Sequence, residues 1–223
     1  EGNVEIIESI ETTHFSIVDK NHNAIGITTT LNGNYGSKVF VEKSGFFLNN
    51  EMDDFSIKPG VPNQYGLVGG EANAIVAEKR MLSSMTPTII EKDDELFMVL
   101  GSPGGPTIIT SVFQVFINIA EHNLPANKAV ETYRFHHQWL PDVVIFEPNL
   151  FSQSLMDSLQ KKGYDIKEQY SRIIGRVSHA VFVLEKSSTQ KNGPTNGSTI
   201  QTSAKKATFS KRTGGRQQTN TTV

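Results

Sequence analysis

Apolar and polar residues alternate from His14 through Asp19, and Ala24 through Leu31 is rich in β-branched residues. Period-two alternation sends successive side chains to opposite faces of a strand, and β-branched residues favour strands, so each run predicts a strand. The polar Lys20-Asn-His-Asn23 between them predicts a turn, and the three pieces together a β-hairpin. A third strand is expected within residues 38–48. Residues 49–80 show no sustained period, and six of residues 59–70 are glycine or proline. A segment this long and irregular inside a compact domain is expected to serve as a lid or binding loop. Thr86–Glu91, the turn at residues 92–94 and Glu95–Leu100 predict a second hairpin. After Gly101-Ser-Pro-Gly-Gly105 the pattern turns helical from about Thr107 to Glu121, apolar on most sides and so expected to be buried between layers. Pro125 opens a shorter helix through Ala129. Phe151–Lys162 places Leu155, Met156 and Leu159 on one helical face before Gly163 stops it. Val177–Leu184 predicts a late strand. Strands, then helices, then a strand predict a layered α+β domain rather than alternating βαβ units.

Composition narrows the chemistry. The 223 residues can bury a sizeable core in one large or two small domains. The absence of cysteine excludes disulfides, thiolate metal sites, iron–sulfur clusters and a cysteine nucleophile. The longest apolar candidate, Ile108–Ala120, is interrupted by Thr110, Ser111, Gln114 and Asn118 and falls short of the ~20 residues of a membrane span. Residue 1 is Glu with no signal-like segment after it, so the chain is expected to begin inside a longer reading frame. The net charge of −2 conceals an asymmetry: residues 188–223 hold six basic and no acidic residues, leaving residues 1–187 at −8. An acidic body predicts no nucleic-acid partner. In the tail 20 of 36 residues are Ser, Thr, Asn or Gln, too polar to offset the entropy of ordering, so a disordered tail is expected.

Three clusters could carry chemistry, and each has an ordinary alternative. Thr12-Thr13 precedes the first strand, where threonine pairs are common. A threonine at a new N-terminus, however, carries its own base, because an α-amine with a pKa of about 7.7–8.0 accepts a proton near neutral pH. Gly101-Ser-Pro-Gly-Gly105 is either a turn or an oxyanion hole beside a helix N-terminus, and the glycines alone leave both open. Phe135-His-His-Gln-Trp139 and Asp53-Asp54 invite metal hypotheses, yet neither offers a full ligand set, so no metal is expected.

Read in order, the segments become far more specific. Thr12-Thr-His-Phe-Ser16, Thr28-Thr-Thr-Leu-Asn32, Leu48-Asn-Asn-Glu-Met-Asp-Asp-Phe-Ser56 and Lys58-Pro-Gly-Val-Pro-Asn63 are followed by four more. These are Tyr65-Gly-Leu-Val-Gly-Gly70, Lys79-Arg-Met-Leu-Ser-Ser-Met-Thr-Pro-Thr88, Gly101-Ser-Pro-Gly-Gly105 and Arg134-Phe-His-His-Gln-Trp-Leu-Pro141. Across about residues 12–185 this resembles the small subunit of the γ-glutamyltransferase (γ-glutamyltranspeptidase) family of N-terminal-nucleophile hydrolases.

The resemblance implies a four-layer αββα sandwich, built with a large subunit cut from the same precursor at the Glu11–Thr12 bond. Residues 1–11 would then end the large subunit, residues 12–187 form the catalytic domain and residues 188–223 the tail. Thr12 matches the nucleophile, Thr30 the threonine that orients it, and Gly104 and Gly105 the oxyanion-hole pair. Asn32, Glu51 and Asp54 match the residues that hold the α-ammonium of the γ-glutamyl donor. Ser83 and Ser84 match the pair that binds its α-carboxylate, completed in the family by a large-subunit arginine. Tyr65 matches the tyrosine of the lid. The His-His segment is structural by this analogy.

The implied activity is transfer or hydrolysis of glutathione and other γ-glutamyl amides, with water, an amino acid or a peptide as acceptor and no cofactor. The implied compartment is periplasmic or extracellular. Family small subunits end in a glycine-rich strand segment with an Asp-Pro-Arg-like motif, whereas Leu184 here is followed by Glu-Lys-Ser-Ser188 and the polar tail. One alternative is an acylase for another amide, such as a β-lactam side chain or poly-γ-glutamate. The other is an uncleaved, inactive chain that only binds.

Overall fold

The computed structural model describes residues 12–169 and 179–182. The first predicted hairpin is strand β1 (Thr13–Val18) paired antiparallel with β2 (Ala24–Thr29). Its turn is closed by Asp19, whose carboxylate accepts from the N–H groups of Asn21 and Asn23 at 2.8 and 2.9 Å. The second is β5 (Thr88–Lys92) with β6 (Glu95–Gly101). Asp93 and Asp94 both take positive φ, 56° and 65°, the two-residue turn whose twist matches that of paired strands. The strand β10 (His179–Phe182) adds to the other edge of β6, giving the order β10-β6-β5.

β6 is the centre of the molecule. Met98, Val99 and Leu100 are all fully buried, as a strand covered on both faces requires. Met98 and Leu100 pack with Ile108, Val112 and Val115 of α1 (Thr107–Ala120) and Ala129 of α2 (Ala126–Glu131). Val99 faces the other way, toward Gly26 of β2. The described residues thus stack helices, the β6 sheet and the β1–β2 hairpin.

The hairpin is inverted for an outer layer. His14, Ser16, Gly26 and Thr28 point at β6, while Phe15 and Ile17 stand opposite Ile27 and Ile25 on the outward face, 37–55% exposed. An apolar outer face is what a middle layer presents to a further one.

Several expectations need correction. The third strand is two short ones, β3 (Phe40–Val41) and β4 (Phe46–Phe47), paired with each other. The first helix is not buried all round: Ile109 and Phe113 are about half exposed on the face away from β6. The body also contains one βαβ unit, in which β8 (Val144–Phe146) pairs parallel with β9 (Ile166–Glu168) across α3 (Gln153–Lys161). β7 (Phe135–His136) pairs antiparallel with β8. The segment at residues 1–11 and the tail at 188–223 lie outside the described residues.

Burial on both faces of β6 makes it the least tolerant element. Leu100→Ala is expected to cost about 2–5 kcal/mol of unfolding free energy. Ile17→Ser, on the face that is open in this chain by itself, should stay within about 0.5 kcal/mol when the chain is unfolded without a partner. Urea unfolding of the two variants checks the contrast.

Candidate active site

One cleft gathers most of the expected residues. Thr12, Thr30, Asn32, Glu51, Asp54, Tyr65, Ser84 and Gly105 line it, with Leu67, Met85 and Ile108 as its apolar wall. Thr12 immediately precedes β1 and Thr30 immediately follows β2, so strand pairing brings them to the same end of the hairpin. Thr12 is buried although it bears a hydroxyl.

Thr30 Oγ1 accepts from the backbone N–H of Asn32 at 2.9 Å, which leaves its own O–H proton available for a neighbour. Asn32 is buried in the left-handed region, φ 72°, a conformation that asparagine tolerates better than most residues. Its Nδ2 donates to the Asn50 carbonyl at 3.2 Å, and its own carbonyl accepts from the Tyr65 hydroxyl at 2.8 Å. Tyr65 is therefore a seated wall of the cleft, 7% exposed.

The loop at residues 49–80 is braced by asparagine side chains. Asn63 Oδ1 accepts from the N–H groups of Tyr65 and Leu67, both at 3.0 Å. Asn73 Nδ2 donates to the Asp54 carbonyl at 2.7 Å, and Asn50 Oδ1 accepts from Gly33 N–H at 2.8 Å. These bonds do the work that a strand ladder does elsewhere.

Two carboxyls meet in the cleft. Burial first, and then the neighbouring Asp54 carboxylate, push the Glu51 carboxyl up to about 7. Asp54 is pushed up too, by burial and then by Asp53. Glu51 Oε1 is buried without a hydrogen-bond partner among the described residues. Two acids sharing one proton and one open acceptor form a receptor for a cation.

On the opposite side the backbone turns through Gly104 and Gly105, φ 134° and 53°, values that side chains resist. The Gly104 carbonyl accepts from Thr107 N–H and Oγ1 at the start of α1, at 3.0 and 2.8 Å. Among the described residues no backbone acceptor takes the N–H of Gly104 or Gly105. Ser84 Oγ donates weakly to the Gly105 carbonyl at 3.5 Å.

A sequence profile described as Gamma-glutamyltranspeptidase matches residues 1–199. The chain belongs to the γ-glutamyltranspeptidase family. It is 50% identical over 165 residues to the glutathione hydrolase proenzyme of Escherichia coli, covering 74% of this chain and 28% of that one. To the glutathione hydrolase proenzyme of Pseudomonas aeruginosa it is 48% identical, covering 73% of this chain and 30% of the relative. The chain thus spans under a third of these relatives' length. The structure of the T380A mutant of Helicobacter pylori γ-glutamyltranspeptidase superposes with a TM-score of 0.74 at 50% identity, covering 79% of this chain and 93% of that one. The fold is that of the N-terminal-nucleophile hydrolases.

Other γ-glutamyltranspeptidase positions fall outside the cleft. Glu11 lies outside the described residues. Ser83 is exposed, and its hydroxyl accepts from Met85 N–H at 3.2 Å. Gly104 does not line the cleft itself but carries the backbone into Gly105. His136 is buried between Thr110 Oγ1 and Gln138 Oε1, at 2.9 and 2.8 Å, and burial lowers its pKa. A larger cavity, about 470 Å³, opens between the two hairpin turns beside Glu91, Asp94 and Glu95, but contains none of the expected residues. Sequence reasoning missed the Asn50, Asn63 and Asn73 braces. Their signal was the density of asparagine in a segment without period.

The Glu51 proton has a stability consequence. The folded carboxyl binds a proton between its ordinary value of 4.5 and about 7, where the unfolded one does not. Stability at this site is therefore full below pH 4.5 and falls as pH rises through 7. Glu51→Gln should flatten this slope in urea midpoints measured from pH 5 to 8.

Proposed function

We propose that this chain is the small-subunit part of a γ-glutamyltransferase and glutathione hydrolase, active after the Glu11–Thr12 bond is cut. The observation that carries this reading is the convergence of Thr12 and Thr30 with the Glu51–Asp54 pair and Gly105 in one cleft. Residues 1–11 belong to the end of the large subunit, residues 12–187 to the catalytic part and residues 188–223 to the tail. While the bond is intact the Thr12 nitrogen is an amide without useful basicity, so cleavage creates the base.

Thr12 Oγ attacks the γ-carbonyl of the donor while the Thr12 amine takes the hydroxyl proton. The negative charge that develops on the carbonyl oxygen is met by the N–H groups of Gly104 and Gly105. Collapse breaks the C–N bond, and the leaving amine takes the proton from the Thr12 ammonium. A γ-glutamyl ester remains on Thr12. Water, or the amine of an amino acid or peptide, attacks the ester and restores the threonine. Asn32, Glu51 and Asp54 hold the donor's α-ammonium, which replaces the shared proton. Ser84 in the cleft binds its α-carboxylate together with Ser83, which must turn in from beside the cleft. Tyr65 closes the cleft, and Thr30 donates its free O–H proton to Thr12.

The outward apolar face of β1–β2 supports a large-subunit partner layered over it. A periplasmic or extracellular site is proposed from the family. No described helix is long and apolar enough to cross a membrane.

Thr12→Ala should abolish γ-glutamyl anilide cleavage, whereas Thr12→Ser should retain part of it. Substantial cleavage by the alanine variant would remove Thr12 from the mechanism. Asp54→Ala should weaken donor binding by roughly 2–5 kcal/mol, because the ammonium loses a buried charged partner. Donors lacking the α-amine should lose much less. An equal loss for both would show that Asp54 acts through folding.

A further inference from the structure

His14 has no part in the chemistry above, yet it occupies the tightest point between the two β-layers. It is 1% exposed, with Nδ1 2.7 Å from Thr28 Oγ1 and Nε2 2.9 Å from Ser16 Oγ. Thr28 is its cross-strand partner and Ser16 the next residue on the same face of β1, so the ring is locked by the hairpin's own pairing. Its edge lies on Gly101: a Cβ there would fall inside the imidazole. Gly26 leaves room on the other strand, where a Cβ would stand 3.7 Å from His14 Cε1 and 3.1 Å from Val99 Cγ1.

The chain positions on either side of this contact give it consequence. Thr12 precedes His14 by two residues and so shares its face of the strand. Gly101 ends β6, and the chain runs from it through Ser102 and Pro103 to Gly104 and Gly105. The imidazole therefore stands between the strand that delivers the nucleophile and the strand that delivers the oxyanion donors.

Resting on the proposed function, we infer that His14 is a positioning residue whose ring sets the separation between Thr12 and the Gly104–Gly105 loop. Apart from Asn32 at the end of the hairpin, the groups that hold the donor's ammonium and carboxylate come from other segments, the loop at residues 49–54 and Ser84. Loss of the spacer should then reduce the chemical step and leave donor affinity nearly intact. A misplacement of about 1 Å is enough to cost on the order of a hundredfold in rate.

The test is a size-exchange cycle in the enzyme produced from its full precursor with the large subunit. Wild type, His14→Ala, Gly101→Ala and the double variant are assayed with γ-glutamyl p-nitroanilide. The kcat is normalised to Thr12 sites titrated by ester formation. Each single variant should lose about a hundredfold in kcat per site with KM within about threefold. The double variant, in which the alanine methyl occupies space vacated by the ring, should recover at least about tenfold over Gly101→Ala. If His14→Ala does not fold, His14→Asn, which keeps a planar hydrogen-bonding side chain, takes its place in the same cycle. Losses that multiply in the double variant would overturn the inference. So would fewer titratable sites with unchanged kcat per site, the mark of a purely structural histidine. A wild type that does not turn over the anilide would instead refute the proposed function itself.

Discussion

The close approach of the β1–β2 hairpin to β6 is the constraint on which the rest of this molecule depends. Two sheets ordinarily pack about 10 Å apart, with side chains from both filling the gap. Here Gly26 and Gly101 remove side chains from opposing strands, and one buried imidazole fills the space. The buried polar ring is tolerated because hydroxyls on its own hairpin satisfy both nitrogens. From this contact the chain reaches Thr12 in one direction and the Gly104–Gly105 turn in the other. The cleft forms where the two ends of the layers meet.

A second constraint is electrostatic. Glu51 and Asp54 are driven together in a partly buried site, where burial raises both carboxyls, Asp54 discourages the ionisation of Glu51, and a hydrogen bond from Glu51 favours that of Asp54. Such a pair is uncomfortable without a cation and well matched to one. The surrounding asparagines hold this pair by its backbone rather than by its charges, since Asn73 donates to the Asp54 carbonyl and Asn49 Oδ1 accepts from the Glu51 N–H. The two carboxyls thus face each other and the cleft, where a cationic ligand can take the place of the proton between them.

Legibility in the sequence followed physical range. The two hairpins were readable because alternation and turn residues are local signals, and Thr13–Val18, Ala24–Thr29, Thr88–Lys92 and Glu95–Gly101 lie close to their predicted spans. The short strands β3, β4, β7 and β9 were not, since two or three residues cannot display a period. The exposure of Ile109 and Phe113 escaped for a different reason, because an apolar helix does not say which of its neighbours belongs to the same chain. Thr12 could be argued from the chemistry of an N-terminal threonine. The residues proposed to clamp the donor were legible only through the ordered motifs, because Asn32, Glu51 and Ser84 come together across turns and loops that no spacing rule links. The inverted hairpin was present in the alternation from the start, but alternation cannot say which face turns inward.

The proposed function makes Thr12, freed at its amine and held at the end of this hairpin, the carrier of the acyl group. Its most direct test is acid quenching of the processed enzyme during turnover of a γ-glutamyl anilide, followed by peptide mass spectrometry. The expected product is a γ-glutamyl group esterified to a peptide whose first residue is Thr12. A γ-glutamyl group on any other residue, or turnover by protein in which Glu11 and Thr12 are still joined, would contradict it.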